Sequence, residues 1–184
     1  MSAAPLQSVQ LTLSMESSRS RTGLNAQPQI ATADKISLMS RPHQPDGRVH
    51  GIIVGCRRPD GRWLLIRRSA AIAAAPLKVC FPGGALEIGE LRQEAAVREV
   101  REELGVEVDL VGEIWNHVFE QRKLVLWGYL GRLQSYDLTP NPQEVEEILW
   151  LTAEEATNHP DGLPKTGDFV AALLEAIEPD RDGR

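Results

Sequence analysis

Three carboxylates lie close together in the stretch RQEAAVREVREELG, at Glu99, Glu102 and Glu103. If this stretch is helical, spacings of three and four residues bring their side chains to one side. An exposed acidic helix face is the ordinary explanation for such a charge run. Gly83 and Gly84, just upstream, favour a sharp turn that presents carbonyl oxygens. Carboxylates and carbonyls are the hard ligands that Mg²⁺ or Mn²⁺ prefers, so the pattern predicts an incomplete cation site that a diphosphate would complete.

The helix itself is predicted from apolar residues that recur every three or four positions over residues 90–104. Gly105 suits the left-handed residue that follows a helix. Two ion pairs are expected one turn apart on this helix, Glu94 with Arg98 and Arg98 with Glu102.

The remaining elements are predicted from strand and turn signals. Residues 49–57 and 62–68 are apolar runs separated by PDG, which predicts a hairpin. Later strands are expected at VEVDLVGEIWNHVFE, at KLVLWGYLGRL and near 147–151, and helices at TAEEA and TGDFVAALLEAI. The last helix is expected to bury Phe169, Leu173, Leu174 and Ile177. Strands that do not alternate regularly with helices predict an α+β fold, with a mixed sheet between helices.

Composition limits the classes of function. The chain has 184 residues and a net charge of −6, which disfavours duplex nucleic acid as a partner because phosphate binding requires a basic face. No apolar run approaches the roughly 18 residues of a membrane span, so no membrane association is expected. The two cysteines, Cys56 and Cys80, lie in apolar segments and are expected to be buried free thiols.

Residues 1–47 differ in composition from the rest, being rich in Ser, Gln, Ala and Arg and lacking Trp, Tyr and Phe. They are predicted to be a disordered extension, with one domain over 48–178 and a short tail at 179–184. A transit peptide and a true start at Met39 remain open alternatives for the extension. A cytoplasmic location is the expectation.

The acidic stretch belongs to a longer pattern, G-x5-E-x7-R-E-U-x-E-E-x-G-U, in which U is aliphatic. Every position is filled, by Gly84, Glu90, Arg98, Glu99, Val100, Glu102, Glu103, Gly105 and Val106. This pattern resembles the Nudix box of the Nudix hydrolases, and the resemblance extends over about residues 48–178. It implies an α/β/α sandwich and hydrolysis of a diphosphate linked to a moiety X, with a divalent metal.

The resemblance also implies roles for single residues. Glu99, Glu102 and Glu103 would bind Mg²⁺, with the Gly84 carbonyl as a further ligand. Arg98 would orient the glutamates through ion pairs, and Glu90 would contribute to that network or to a second ion. The general base varies across the family: Glu99 and Glu103 are candidates, and Glu144 is preferred among the later acids over Glu120, Glu146 and Glu147.

The moiety X is selected outside the box. The segment LLIRRSAAIAAAPLKVCFPGG resembles the equivalent region of the branch that cleaves 8-oxo-dGTP, which makes Arg67, Arg68 and Lys78 candidates for substrate binding. Strand alternation allows only one of the two arginines to face the site, and Arg68 is preferred. That branch has a base-binding Asn near the start of its last helix, where this chain has Gly167 or Asp168. Trp127 is the candidate to stack on a base.

These observations predict a Mg²⁺- or Mn²⁺-dependent hydrolase of a nucleoside di- or triphosphate, a small phosphorylated substrate. A monomer and a homodimer both remain open. Three alternatives remain open: an ADP-ribose or nucleotide-sugar pyrophosphatase, a non-enzymatic nucleotide-binding module, and an isomerase of isoprenyl diphosphates. The isomerase requires a catalytic cysteine and an acid in specific places, which Cys56 and Cys80 do not clearly match.

Overall fold

The computed structural model describes residues 42–178. The predictions for residues 1–41 and for the tail at 179–184 lie outside the described residues. Residues 42–47 already contact the folded part, since the Gln44 side-chain amide donates to the carbonyls of Leu86 and Glu87, both at 3.2 Å. Contacts of the folded part therefore begin before residue 48. No helix in the described range is both long and apolar enough to cross a membrane.

The first of two three-stranded sheets is mixed. It contains β1 (Val49–Cys56), β4 (Val108–Phe119) and β5 (Leu124–Leu133), with β5 in the centre. β1 pairs with β5 in parallel over its whole length, and β4 pairs with β5 antiparallel through a short 3₁₀ turn at Glu120–Arg122.

The second sheet is antiparallel. It contains β2 (Trp63–Arg68) in the centre, between the two-residue β3 (Val79–Cys80) and β6 (Val145–Leu151). The predicted hairpin of β1 with β2 is therefore wrong. The PDG turn closes with a single bridge between Arg57 and Trp63, after which the strands diverge into different sheets. β1 pairs instead with β5 and β2 pairs with β6, and both partners are distant in sequence.

Within residues 42–178, three helices pack on the sheets: α1 (Arg92–Leu104), α2 (Ala153–Thr157) and α3 (Thr166–Ile177). Gly105 ends α1 with φ of +64°, as predicted. The N-terminal glutamate of α1, Glu94, accepts a hydrogen bond from the Leu91 amide at 3.1 Å and does not pair with Arg98. The predicted ion pair between Glu94 and Arg98 is therefore absent, because the unpaired amide at the helix start competes for the carboxylate.

The core is divided between α1 and α3, and β2 shows why. Side chains alternate along a strand, so Leu64 and Ile66 pack with the α1 side while Trp63 and Leu65 pack with the α3 side. The α1 side includes Ala96, Val100 and Leu104, and the α3 side includes Phe169, Val170 and Leu173. Leu174 is 37% exposed, so its predicted burial is wrong. Helices on both sides of the strands confirm the predicted α/β/α architecture.

Candidate active site

The site is built on a close approach between β1 and the loop that precedes α1, residues 81–91, here called the box loop. The amides of Ile52 and Val54 donate to the carbonyls of Gly84 and Pro82 at 2.8 and 2.9 Å. Gly83 has φ of +146°, and a Cβ on it would overlap the carbonyl oxygen of Ile52. Glycine at this position therefore permits the loop to lie directly on the strand.

The same loop approaches the glutamates of α1. A Cβ on Gly84 would overlap the Glu99 carboxylate, so the absence of a side chain there provides the space that this carboxylate occupies. The amide of Gly83 donates to Oε2 of Glu103 at 2.8 Å. The two glycines thus place two α1 carboxylates against the box loop.

Arg98 joins the acidic residues into one network. Its Nε and Nη2 atoms donate to the two oxygens of Glu90 at 2.7 and 3.0 Å. Its Nη1 donates to Glu99 at 2.9 Å and to Glu102 at 3.0 Å, and Nη2 also reaches the Ala85 carbonyl at 3.1 Å. These contacts use all five guanidinium donors. Arg98 is therefore locked in position, and its three carboxylate partners are oriented by it.

Two of the glutamates are buried carboxylates. Glu99 is 9% exposed and Glu103 is 4% exposed. Burial raises the pKa of Glu103 to about 8, partly opposed by the hydrogen bond from Gly83. Burial also raises the pKa of Glu99, against the effect of Arg98. The negative charges of Glu99 and Glu144 further raise the pKa of Glu103, so these side chains share a region short of positive charge.

That region is a cavity of about 220 Å³, here called the acidic cavity, lined by Arg68, Gly83, Gly84, Glu99, Glu103 and Glu144 together with alanine and isoleucine side chains. Glu144 reaches it because the Ser69 amide donates to the Glu144 carbonyl at 2.8 Å, which ties the loop before β6 to the end of β2. The competing acids lie elsewhere. Glu147 pairs with Arg67, Glu120 pairs with Arg48, and Glu146 is exposed.

The donor set suits a divalent cation by its chemistry. All of its donors are oxygens, and three carboxylates line a cavity to which Arg68 contributes the one basic side chain among the described residues. Within residues 42–178, however, no three His, Cys, Asp or Glu side chains converge closely enough to hold a metal ion as they stand. Glu102 is 51% exposed at its side chain, contacts Arg98 and does not line the acidic cavity. Glu102 would have to turn away from Arg98 to join Glu99 and Glu103 as a ligand.

The three predicted substrate-binding residues, Arg67, Arg68 and Lys78, do not lie together in the structure. Arg68 lines the acidic cavity, where its Nε donates to the Ala74 carbonyl at 3.0 Å. Arg67 points to the other side of the strand and pairs with Asp161 at 3.0 Å. Lys78 also faces Asp161, at 3.6 Å, and the structure does not bring it to the cavity. Asp161 attracts both cations, and strand alternation leaves Arg68 alone at the site.

A second cavity, here called the apolar cavity, adjoins the first and shares Arg68, Gly83 and Gly84 with it. Its volume is about 150 Å³. Its walls come from β1, β2, β3, β5, the end of β4 and the box loop, with Ile52, Ile53, Phe81, Phe119, Leu124 and Leu126 among them. Sequence reasoning missed these residues, because ordinary apolar strand residues carry no signal that distinguishes a cavity wall from core.

Trp127 does not contribute to this cavity. Leu126 lines the cavity, whereas Trp127, the next residue of β5, packs against the α1 side of the core. The Arg92 guanidinium lies 4.0 Å above the Trp127 ring, and the indole nitrogen donates to His50 at 3.4 Å. Arg92 occupies one face of the Trp127 ring, and stacking of this ring on a base stays a prediction.

Comparisons with known proteins agree with this geometry. The NUDIX domain family model matches residues 47–173. The 8-oxo-dGTP diphosphatase of Escherichia coli (strain K12) is 30% identical over 128 residues, which are 68% of this chain and 96% of that protein. The CTP pyrophosphohydrolase of the same strain is 32% identical over 101 residues, covering 55% of this chain and 74% of that protein.

Solved structures show the same fold. The MutT protein from Methanosarcina mazei Go1 superposes with a TM-score of 0.61 at 21% identity, over 76% of this chain and 99% of that one. The family model spans the two sheets, the box loop, α1 and most of α3. The chain therefore belongs to the NUDIX domain family and is a Nudix hydrolase.

Proposed function

We propose that this Nudix hydrolase cleaves a phosphoanhydride bond of a nucleoside di- or triphosphate with the aid of Mg²⁺ or Mn²⁺. One observation carries the proposal: Glu99, Glu103 and Glu144 share the acidic cavity with Arg68, and the apolar cavity opens beside them across Arg68, Gly83 and Gly84. A phosphate chain in the acidic cavity would thus extend into an apolar compartment suited to the rest of the nucleotide. The relatives named for 8-oxo-dGTP and CTP hydrolysis support a nucleotide substrate.

The proposed metal ligands are Glu99, Glu102, Glu103 and the carbonyl of Gly84. When bound, the cation supplies positive charge over the phosphate oxygens and lowers the pKa of a coordinated water. The Gly84 carbonyl already accepts a hydrogen bond from Ile52, which leaves its second lone pair for this purpose.

The protein side chains have distinct proposed roles in the reaction. Water oxygen attacks phosphorus, the phosphoanhydride P–O bond breaks, and the water proton passes to a general base. Glu144 is that base, because it lines the acidic cavity while lying on a different element from the α1 ligands. Arg98 positions Glu99 and Glu102 through its hydrogen bonds, and Arg68 binds a phosphate oxygen as a fixed cation.

The test is a panel of nucleoside triphosphates, nucleoside diphosphates, ADP-ribose, nucleotide sugars and isopentenyl diphosphate, each with Mg²⁺ or Mn²⁺ and with EDTA. We expect metal-dependent release of a nucleotide product from the nucleoside di- and triphosphates. When the reaction runs in ¹⁸O-labelled water, one of the two products should contain ¹⁸O. Glu99→Gln should reduce kcat/KM by at least about 100-fold and weaken Mn²⁺ binding measured by electron paramagnetic resonance.

Glu107→Gln is the matched control, because the Glu107 side chain is about half-exposed, pairs with Arg101 and lines neither cavity. Turnover of ADP-ribose or nucleotide sugars alone would assign a different substrate class. Binding without turnover of any compound, or a fully active Glu99→Gln protein, would contradict the proposal.

The other sequence predictions remain proposals. The domain limits of 48–178, the homodimer and the cytoplasmic location stay predictions, and sedimentation of the purified chain tests the homodimer directly.

A further inference from the structure

The apolar cavity carries few groups that can recognise hydrogen-bonding edges. Within the described residues 42–178, its lining includes no Asp, Glu, Asn, Gln, His, Ser, Thr or Tyr side chain. The polar side chains that it does include are Arg68 and Arg122, which only donate, and the thiol of Cys80. Burial raises the pKa of Cys80 to about 11, so it remains a weakly polar thiol at neutral pH. The cavity therefore lacks side-chain acceptors for an exocyclic amino group.

Main-chain groups around the cavity are largely used within the fold. The carbonyls of Pro82 and Gly84 accept from β1, and the amide of Leu163 donates to the Val79 carbonyl at 3.1 Å. Pro164, also in the lining, has no amide hydrogen. These main-chain groups therefore already have partners within the fold.

The polar side chains of Asn158 and Asp168 also have other partners. The Asn158 side chain donates to the Glu154 carbonyl at 3.1 Å, and Asp168 pairs with Lys165 at 2.9 Å. Neither residue lines the apolar cavity. A nucleobase entering this cavity would meet aliphatic and aromatic surface on most sides.

We propose that this enzyme binds the base of its substrate by apolar contact and shape, so that it separates bases of the same size only weakly and has no strong preference for oxidised guanine. The inference rests on the proposed nucleotide substrate. A site built around matched hydrogen bonds rejects an analogue lacking them by about 10⁴-fold or more, whereas an apolar pocket separates near-isosteres by only about 100-fold.

The test measures dissociation constants by calorimetry for non-hydrolysable α,β-methylene analogues of three size-matched pairs, with Mg²⁺ present. The pairs are dATP with dGTP, dCTP with dTTP, and 8-oxo-dGTP with dGTP. We expect each pair to differ by less than about 100-fold. A larger difference in any pair overturns the inference, and so does the absence of binding by every analogue.

A variant locates the contact. Phe119→Ala should weaken all of these analogues by a similar factor of about tenfold, because it removes aromatic contact without removing a hydrogen bond. Val118→Ala is the control, since Val118 is the preceding residue of β4, is 40% exposed and does not line the cavity. If Phe119→Ala has a much lower melting temperature than the wild type, Leu126→Ala is measured in its place. Weakening confined to one base would contradict the inference.

Binding and turnover distinguish the two proposals. Analogues that bind with little base preference while the natural triphosphates are not hydrolysed would retain the inference and remove the proposed activity. Hydrolysis with a preference above about 100-fold within a size-matched pair would support the proposed activity and contradict the inference about base selectivity.

Discussion

The acidic cavity and the apolar cavity meet at Arg68, Gly83 and Gly84, yet they are built in different ways. The acidic cavity takes most of its functional groups from one helix and the loop before it. The apolar cavity collects one or two side chains from each of the five strands β1 to β5, and others from the connecting segments. The chemistry of this family can therefore be carried in a short segment, whereas the surface that contacts the rest of the substrate depends on long-range packing.

The two cavities also differ in which charged groups line them and how those charges are compensated. In the acidic cavity, burial raises the pKa values of Glu99 and Glu103, which Arg98 opposes at Glu99 and Arg68 opposes at Glu103. A bound cation would add to this compensation. In the apolar cavity, Arg68 and Arg122 are the charged side chains of the lining among the described residues. We expect substitutions in the first to change the rate of the chemical step and substitutions in the second to change binding.

The largest effect is expected from Glu144→Gln, which retains the shape of the side chain but cannot take up a proton. We expect kcat to fall by about 10²–10⁴-fold with little change in KM. Steady-state kinetics with a nucleoside triphosphate measures this. Glu146→Gln is the control, because Glu146 is exposed and lies only two residues along the chain. Equal activity of wild type and Glu144→Gln would transfer the role of base to Glu99 or Glu103.

Gly83→Ala should disturb both cavities at once. The new Cβ would overlap the Ile52 carbonyl, and φ of +146° is unfavourable for alanine, so we expect a loss of about 3 kcal/mol in the free energy of unfolding. Urea denaturation followed by circular dichroism measures it. Gly112→Ala is the control, since a Cβ at Gly112 meets no atom within 4 Å. Similar stability in the two variants would show that the close approach to β1 is not required.

Arg68→Ala compares a residue shared by the cavities with a neighbouring cation. We expect KM to rise about tenfold, since a charge-assisted hydrogen bond to phosphate is lost. Lys78→Ala should change KM by less than about twofold, because an exposed ion pair contributes little and Lys78 faces Asp161. If Lys78→Ala raised KM more than Arg68→Ala, the result would support the prediction from the sequence that Lys78 binds the substrate.

The smallest effect concerns Cys80, in the apolar cavity, and Cys56, in the core. Burial raises the pKa of Cys56 to about 12 and that of Cys80 to about 11, so both remain protonated at pH 8. We expect no reaction of the folded protein with Ellman's reagent at pH 8, and two equivalents in denaturant. Rapid labelling of Cys80 in the folded state would mean that the apolar cavity opens to water.

Local patterns predicted the local structure well. The extent of α1, the cap at Gly105 and the contact of Arg98 with Glu102 follow from spacings within one helix. The hairpin prediction failed because a turn signal states only that the chain reverses, while β1 gains its partner from β5, far along the sequence. The contact of Arg98 with Glu90 joins residues eight apart, and the resemblance to the Nudix box supplied it.

The sequence by itself determined the acidic helix, the glycines before it and the family, because these depend on neighbouring residues in one short segment. Only the tertiary structure decided that Glu144, rather than Glu120, Glu146 or Glu147, reaches the acidic cavity, and that Trp127 turns away from the apolar one. The physical reason is that strand alternation and loop packing select which side chain faces a cavity. Those choices depend on contacts between residues separated by many positions in the chain.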